Sequence, residues 1–300
     1  MLRRTLQSFK GVAASGFTVT PTPLINHSEI GLLKKSLPTL YGGDFASKQY
    51  PDEWHYRPGF SKEDVTREVC NAWKSSPTIA SLVLSPHIAE YVAKFMGWRS
   101  IRVGQDDVIQ KPRSEVSNVG WHRDYSYINS NFVGGDGCTV WISLDRATEE
   151  NGGVKYAVGS QEWPMEPLRD GVDSAFMSGA SDPLAYLRRY APEDIEIACP
   201  EVDPGHAIIH QSKVFHGSSN NGSADNMREA IVVHFVEGDC QWKETESSLP
   251  WGDAGYIYGR YRRAGEVELA EDHFPITWSE NEAEITGWVK DYIGNGMGMK

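Results

Sequence analysis

An antiparallel β core with a flank of helices is the fold class predicted by this 300-residue sequence. Three observations carry the prediction. The first hundred residues hold helix signals punctuated by proline and serine caps. From Ile101 onward the apolar period changes to two, the repeat of a strand. The strand-like runs are then separated by clusters of glycine, asparagine, aspartate and serine, with no regular β-α-β alternation.

Taken in order, Gly16-Phe17-Thr18-Val19 reads as a short strand before a proline-rich turn. Ser28 is placed to cap a helix that runs to Leu37 and is ended by Pro38. Ser61-Lys62-Glu63-Asp64 has the form of a capping box and predicts a helix towards Trp73. Two more helices are expected over 79–84 and from Ser85, with Pro86 in its first turn, to Met96. Strands are expected over 101–110, 120–127, 138–144, 154–158, 206–210 and 230–236, with a short helix over 182–190 between two of them. Beyond Gln241, Trp242, Trp251, Tyr256, Tyr258, Tyr261, Phe274 and Trp278 crowd a stretch rich in glycine and proline. The organisation predicted is a flexible terminus over 1–15 and a single domain over 16–300. That domain divides into a helix-rich flank (16–100), the β core (101–240) and an aromatic-rich C-terminal segment (241–300). The last either packs across the outside of the core or covers a substrate as a lid.

Composition narrows the class of function. A 40% hydrophobic and 11% aromatic content suits a globular chain with a sizeable core. The net charge of −12 argues against nucleic acid or an anionic membrane as the main partner and bears no weight on a small substrate, since a local pocket can oppose the net sign. Oligomeric state is not legible. Cys70, Cys138, Cys199 and Cys240 are widely spaced without a C-x-x-C pair, which favours a reducing compartment over a disulfide or zinc-thiolate framework. No apolar run has the length of a membrane span. The expected location is the cytoplasm. The basic, acid-free start Met1-Leu2-Arg3-Arg4-Thr5-Leu6-Gln7-Ser8-Phe9-Lys10 reads as a frayed terminus, with a weak mitochondrial or plastid transit segment as the alternative.

The chemistry centres on Gly120-Trp121-His122-Arg123-Asp124-Tyr125-Ser126-Tyr127. Two residues apart on a regular strand, His122 and Asp124 project from one face and can share a metal ion. Alone the triplet means little, because 9 His and 18 Asp in 300 residues supply about 0.5 such triplets by chance. Two histidines and one carboxylate make the facial triad that leaves half the coordination sphere of an iron open. The second histidine must come from a later strand, and His206, His210, His216 and His234 are available. His216 is best placed, at the end of an apolar run and before the turn Gly217-Ser218-Ser219-Asn220-Asn221; the other three read as structural. Twelve residues on, Arg228 opens a strand which a hairpin turn would lay beside His216. Its guanidinium can there bind a carboxylate through two parallel hydrogen bonds, and Ser218 can add a hydroxyl.

Over roughly residues 16–235 the sequence resembles the phytanoyl-CoA dioxygenase family of iron(II)- and 2-oxoglutarate-dependent oxygenases. The resemblance is carried by Val108-Ile109-Gln110-Lys111-Pro112, Trp121-His122-Arg123-Asp124, and the run from Trp141 to Gly153. Val158-Gly159-Ser160, Pro204-Gly205-His206-Ala207, His216-Gly217-Ser218 and Arg228 complete it. His206 departs from the pattern, in which an acidic residue is usual. The resemblance implies a double-stranded β-helix, a cupin-like jelly roll with the metal at its open mouth. It also implies that His122, Asp124 and His216 hold Fe(II) and that Arg228 binds the distal carboxylate of 2-oxoglutarate. Ser218, Trp141, Gln110 and Lys111 are the further co-substrate contacts it suggests.

The function implied is a dioxygenase that consumes O2 and 2-oxoglutarate, releases succinate and CO2, and oxidises a C–H bond of a small metabolite. Hydroxylation, desaturation and oxidative cyclisation are alike open to such a site. Halogenation is disfavoured, since related halogenases lack the carboxylate that Asp124 supplies. Two rival readings are a cupin-like metal isomerase or hydrolase that does not use O2, and a non-catalytic binding protein on the same fold. Arg228 and Ser218 speak against the first, and the complete set of four residues against the second. Relatives act on acyl-CoA thioesters, amino acids, alkaloids and terpenoids, and the fold does not choose among them.

Overall fold

The computed structural model describes residues 14–114, 117–126, 131–164, 184–191, 194–224, 227–243, 256–263 and 265–294. The chain enters through β1 (Phe17–Val19) and α1 (His27–Tyr41). The cap of α1 is Asn26 instead of Ser28. Its Oδ1 accepts from the backbone N–H of Ser28 at 2.9 Å and of Glu29 at 3.1 Å, and Glu29 Oε2 accepts from the Asn26 N–H at 2.7 Å. This reciprocal box satisfies donors that the first turn leaves open. Pro38 does not end the helix, which continues to Tyr41. The proline forfeits one backbone hydrogen bond, and the burial of Leu33, Leu37, Leu40 and Tyr41 outweighs it.

The helix expected from Ser61 to Trp73 does not form. After β2 (Glu53–Trp54), the segment extends as β3 (Arg67–Cys70), and only Ala72–Lys74 coils into a 3-10 turn. Val65, Thr66 and Val69 favour extended chain, and the neighbouring strand supplies the hydrogen bonds that a helix would have made internally. The next two helices follow the sequence closely. They are α2 (Pro77–Val83), capped by Ser76, and α3 (Pro86–Met96), capped by Ser85 and closed by Gly97 at φ 76°.

The core is built from β4 (Ser100–Lys111), β5 (Val119–His122), β6 (Phe132–Val133), β7 (Gly137–Ser143), β8 (Val154–Ala157), β9 (Ile197–Ala198), β10 (Ala207–Gln211), β11 (His216–Ser218), β12 (Arg228–Glu237) and β13 (Gln241–Trp242). The short α4 (Tyr256–Gly259), β14 (Ile276–Ser279) and α5 (Gly287–Gly294) follow. The strand expected over 120–127 stops at His122, and Asp124–Ser126 form a 3-10 turn; Tyr127 lies outside the described residues. Of the helix expected over 182–190, positions 182–183 lie outside them, and Leu187–Arg189 is one 3-10 turn. Residues 1–13 and Trp251 also lie outside.

Among the described residues every ladder is antiparallel. The large sheet runs β1-β10-β7-β12-β4-β3-β2 with β14 also on β4, and the smaller one runs β5-β11-β8-β9. The large sheet is covered on both faces, so both sets of alternating side chains on its central strands are largely buried. Val140, Ile142, Ile209, Ile231 and Val233 pack with the helices. Their alternates Trp141, Ile208, Ala230 and Val232 face Val154 and Tyr156 of the smaller sheet. The C-terminal segment extends this architecture: β14 lies beside β4, and Phe274 and Leu269 pack with Phe132 and Trp242. No described helix is long and apolar enough to cross a membrane.

Candidate active site

His122 closes β5 and His216 opens β11, and the two stand opposite each other in the antiparallel register, with ring centroids 4.1 Å apart. Each ring is oriented by its own chain. His122 Nδ1 donates to the Gly120 carbonyl at 2.8 Å, and His216 Nδ1 donates to the Val214 carbonyl at 3.2 Å. The proton is therefore on Nδ1 in both, and both Nε2 lone pairs face inward. Burial pushes the His122 imidazole down to about 3 and that of His216 down to about 4, so both are neutral donors at pH 7.

The third donor arrives on a turn instead of a strand. The Tyr125 N–H donates to the Ser212 carbonyl at 2.8 Å, drawing the chain out of β5 and presenting Asp124. Its Oδ1 lies 3.7 Å from His122 Nε2 and 3.4 Å from His216 Nε2. Ligand atoms of the three residues all lie within 4.8 Å of one another. Two neutral nitrogens and one carboxylate oxygen so converged suit a divalent transition metal.

Asp124 Oδ2 is held from behind. Thr139 Oγ1 donates to it at 2.5 Å, and His210 Nε2 donates at 3.0 Å while its Nδ1 accepts from Tyr156 Oη at 3.0 Å. Thr139 in turn accepts from His234 Nδ1 at 2.8 Å, and His234 Nε2 donates to Asp107 Oδ2 at 2.9 Å. Burial pushes the Asp124 carboxyl up, but His216 and the His210 hydrogen bond outweigh it and hold the group well below the usual carboxylate range. Burial likewise opposes a charge on His234, and its bond to Asp107 with the charge of Asp124 raises it on balance.

Beside the three donors lies a basic corner. Arg228 and Lys111 are directly paired across β12 and β4, 3% and 0% exposed. The Arg228 guanidinium sits 5.1 Å over the Trp141 ring, and its Nε and Nη1 have no hydrogen-bond partner among the described residues. Lys111 Nζ donates to Ser218 Oγ at 2.6 Å and to the Ser219 carbonyl at 2.5 Å. Burial pushes the Lys111 amine down to about 6, with Arg228 adding to the effect, and burial pushes Arg228 down to about 10. A buried guanidinium with unpartnered donors beside a buried amine that a nearby negative charge would protonate is an arrangement suited to an anion. Gln110 is not part of it. Adjacent to Lys111 on β4, it points to the other face, where it accepts from Arg67 Nη1 at 2.7 Å and donates to Glu229 Oε1 at 2.6 Å.

Residues 43–230 match the phytanoyl-CoA dioxygenase (PhyH) family. This chain belongs to that family. Solved structures share the PhyH-type fold at low identity. SnoN, a non-heme alpha ketoglutarate dependent epimerase from nogalamycin biosynthesis determined with Fe3+, alpha ketoglutarate and nogalamycin RO, aligns with a TM-score of 0.66 at 16% identity, covering 93% of this chain and all (100%) of that one. The carbocyclase SnoK from the same biosynthesis gives 0.66 at 18% identity, over 90% of this chain and 95% of its own. EctD from S. alaskensis, determined with 2-oxoglutarate and 5-hydroxyectoine, gives 0.61 at 17% identity, over 89% and 86%. Comparison with the curated proteins finds no match.

Within this PhyH chain, the sequence reading set His210 and His234 aside as structural, and the structure brings both to the back of Asp124. His210, Thr139 and His234 are direct cross-strand neighbours on β10, β7 and β12. The signal was present: His234 shares its parity with Arg228 on one strand, so a face assigned to one applies to the other. His206 stays apart, its Nδ1 donating to the Thr20 carbonyl at 2.9 Å. The sequence reading also missed Glu68 and Cys70, which with His55 form a second close group beside Asp107. Burial and the charge of Asp107 push the Glu68 carboxyl up to about 8, and burial holds the Cys70 thiol well above its ordinary range. From the C-terminal segment, buried Tyr258 packs with Phe132 and Phe274 and stands near enough to Asp107 and Asp124 to feel their charges.

Proposed function

We propose that this protein is an Fe(II)- and 2-oxoglutarate-dependent dioxygenase that oxidises a C–H bond of a small-molecule metabolite. The observation that carries the reading is the buried pair Arg228 and Lys111, with Arg228 Nε and Nη1 lacking hydrogen-bond partners among the described residues and Lys111 bonded to Ser218, two residues from His216. A metal site alone would suit the isomerase or hydrolase alternative, but such an enzyme has no use for a buried, unpartnered guanidinium beside a buried amine. Family membership supports the reading, as do the Fe3+ and alpha ketoglutarate named with SnoN and the 2-oxoglutarate named with EctD.

The residues present fit both groups. His122, Asp124 and His216 would hold Fe(II), with Nδ1 of each imidazole anchored and Asp124 Oδ2 occupied by Thr139 and His210, leaving Oδ1 for the metal. The orphaned Nε and Nη1 of Arg228 would receive the distal carboxylate of 2-oxoglutarate. Lys111 would supply a second positive charge there, and Ser218 would fix the direction of its amine. Trp141 would hold the Arg228 guanidinium flat from below. When bound, the iron and 2-oxoglutarate supply the oxidising chemistry, with succinate and CO2 as by-products. The protein orients the target carbon and keeps bulk water from the site. With Asp124 in place the site offers no vacancy for a halide, and halogenation is not expected. The structural neighbours include an epimerase and a carbocyclase, so the fate of the oxidised carbon belongs to the substrate pocket, not to the triad.

The test is anaerobic addition of Fe(II) and 2-oxoglutarate to metal-free protein. A weak visible charge-transfer band is expected in the wild type and is lost in His216→Ala. Folded, iron-loaded wild type without the band would refute the proposal. A screen for succinate release across metabolite classes then identifies the substrate.

A further inference from the structure

The residues next to the three candidate ligands in sequence meet each other on the far side of the site. Arg123, between His122 and Asp124, is 5% exposed and points away from them. Its guanidinium lies 3.9 Å from the centroid of the Phe215 ring, the residue immediately before His216. Its Nη2 donates to the Ser160 carbonyl at 3.0 Å. The Phe215 N–H donates to Ser160 Oγ at 2.8 Å, and the Phe215 carbonyl accepts from Ala157 N–H at 2.9 Å. Ser160 is fully buried and opens a one-turn 3-10 helix after Gly159, which takes φ 75°. One serine thus receives, on two of its oxygens, a bond from each of the two chain segments that carry the donors.

From this we infer that Arg123, Ser160 and Phe215 form a clasp of positioning residues that sets the distance between the His122–Asp124 turn and His216. The inference rests on the metal-site reading above. β5 and β11 are paired only through short ladders with a register shift between His216 and Ser218, and Asp124 lies beyond the end of β5. Strand pairing therefore fixes His122 against His216 and leaves the Asp124 turn to be fixed from outside. Arg123 does this together with the Tyr125–Ser212 hydrogen bond: its planar fork spans the carbonyls of Ser160, Trp163 and Pro164 while its face covers Phe215. Outer groups that orient ligands typically alter metal affinity by about 10- to 100-fold when removed.

The experiment measures Mn(II) affinity by the electron paramagnetic resonance signal of the free ion, alongside thermal melting of the metal-free protein. Arg123→Met keeps the apolar cover over Phe215 and removes the fork. It is expected to weaken Mn(II) binding about tenfold or more with the metal-free melting temperature nearly unchanged, and Arg123→Lys is expected to recover part of the affinity. Ser160→Ala, which deletes one hydroxyl, is expected to move affinity in the same direction and serves as the second variant should Arg123→Met fail to fold. Unchanged affinity in a folded Arg123→Met or Ser160→Ala protein overturns the clasp. So does a loss of affinity that only parallels a fall in the metal-free melting temperature. Wild type that binds no Mn(II), or binds it equally well as His216→Ala, overturns the metal-site reading itself.

Discussion

Lys111 shows most directly how this protein trades stability for a site. A lysine in the unfolded chain protonates near ~10.4, whereas burial brings Lys111 down to about 6 in the fold. Between these values the unfolded chain binds more protons, so stability rises with pH across that window, and at pH 7 burying the amine is a net cost. Lys111→Met is therefore expected to raise the melting temperature of the metal-free protein while weakening 2-oxoglutarate binding. The same shift gives the pH dependence of binding. A dicarboxylate favours the charged amine, so binding above pH ~6 must take up a proton and the affinity falls by up to about tenfold per pH unit. Calorimetry in buffers of different ionisation enthalpy is expected to show uptake of close to one proton at pH 7.5, absent in Lys111→Met. Binding without proton uptake would mean that Lys111 is not in contact with the anion.

Strand geometry sets the site at the next scale. Gly217 separates His216 from Ser218, and a Cβ placed there would meet the backbone oxygens of Val119 at 2.8 Å and Gly120 at 3.1 Å. Since Gly120 is also the acceptor for His122 Nδ1, Gly217→Ala is expected to push β11 off β5 and disturb both histidines. Metal affinity should fall at least tenfold, with far-UV dichroism retained; unchanged affinity would show that the ladder tolerates the spread. Strand periodicity also marks how far the sequence was legible. The period-two runs located β4, β7, β8, β10 and β12, and the proline-and-serine signals located α2 and α3, because in each case local preference and tertiary packing agree. They disagreed at Val65 to Cys70, where sheet pairing displaced a capping box, and at Pro38, where burial carried a helix past a proline. The same limit explains the site. His122 and His216 are direct partners on a ladder that shifts register just beyond them, and Arg228 faces Lys111 on a regular one. Strand parity put Asp124 beside His122, but Asp124 arrives there on a turn, because the hydrogen bond of Tyr125 to Ser212 that bends the chain is made with a residue 87 positions away. Gln110 and Lys111, being adjacent on one strand, cannot both face the cavity, and parity alone excludes one without saying which.

At the scale of the whole molecule, the chain carries a formal charge of −12 yet buries Arg228 and Lys111 side by side. Both faces of the large sheet are used. The helical side buries Leu33, Leu37 and Ile88 and gives the strands a rigid backing, while the inner side carries Trp141, Arg228 and Lys111 and faces the smaller sheet, which carries His122 and His216. β11 links the two parts of the site, with His216 at its start and Ser218 at its end. On the proposed function, the metal cluster and the basic corner form one site for one ligand. Their thermodynamic coupling tests it most directly. Calorimetric titration of 2-oxoglutarate into wild-type protein, with and without saturating Mn(II), is expected to show at least about tenfold tighter binding with the metal. Glutarate, which has the same distal carboxylate but no keto group to reach the metal, is expected to bind with little metal dependence, and Arg228→Ala to weaken both ligands. Equal 2-oxoglutarate affinity with and without Mn(II), in protein that demonstrably holds the metal, would contradict the account.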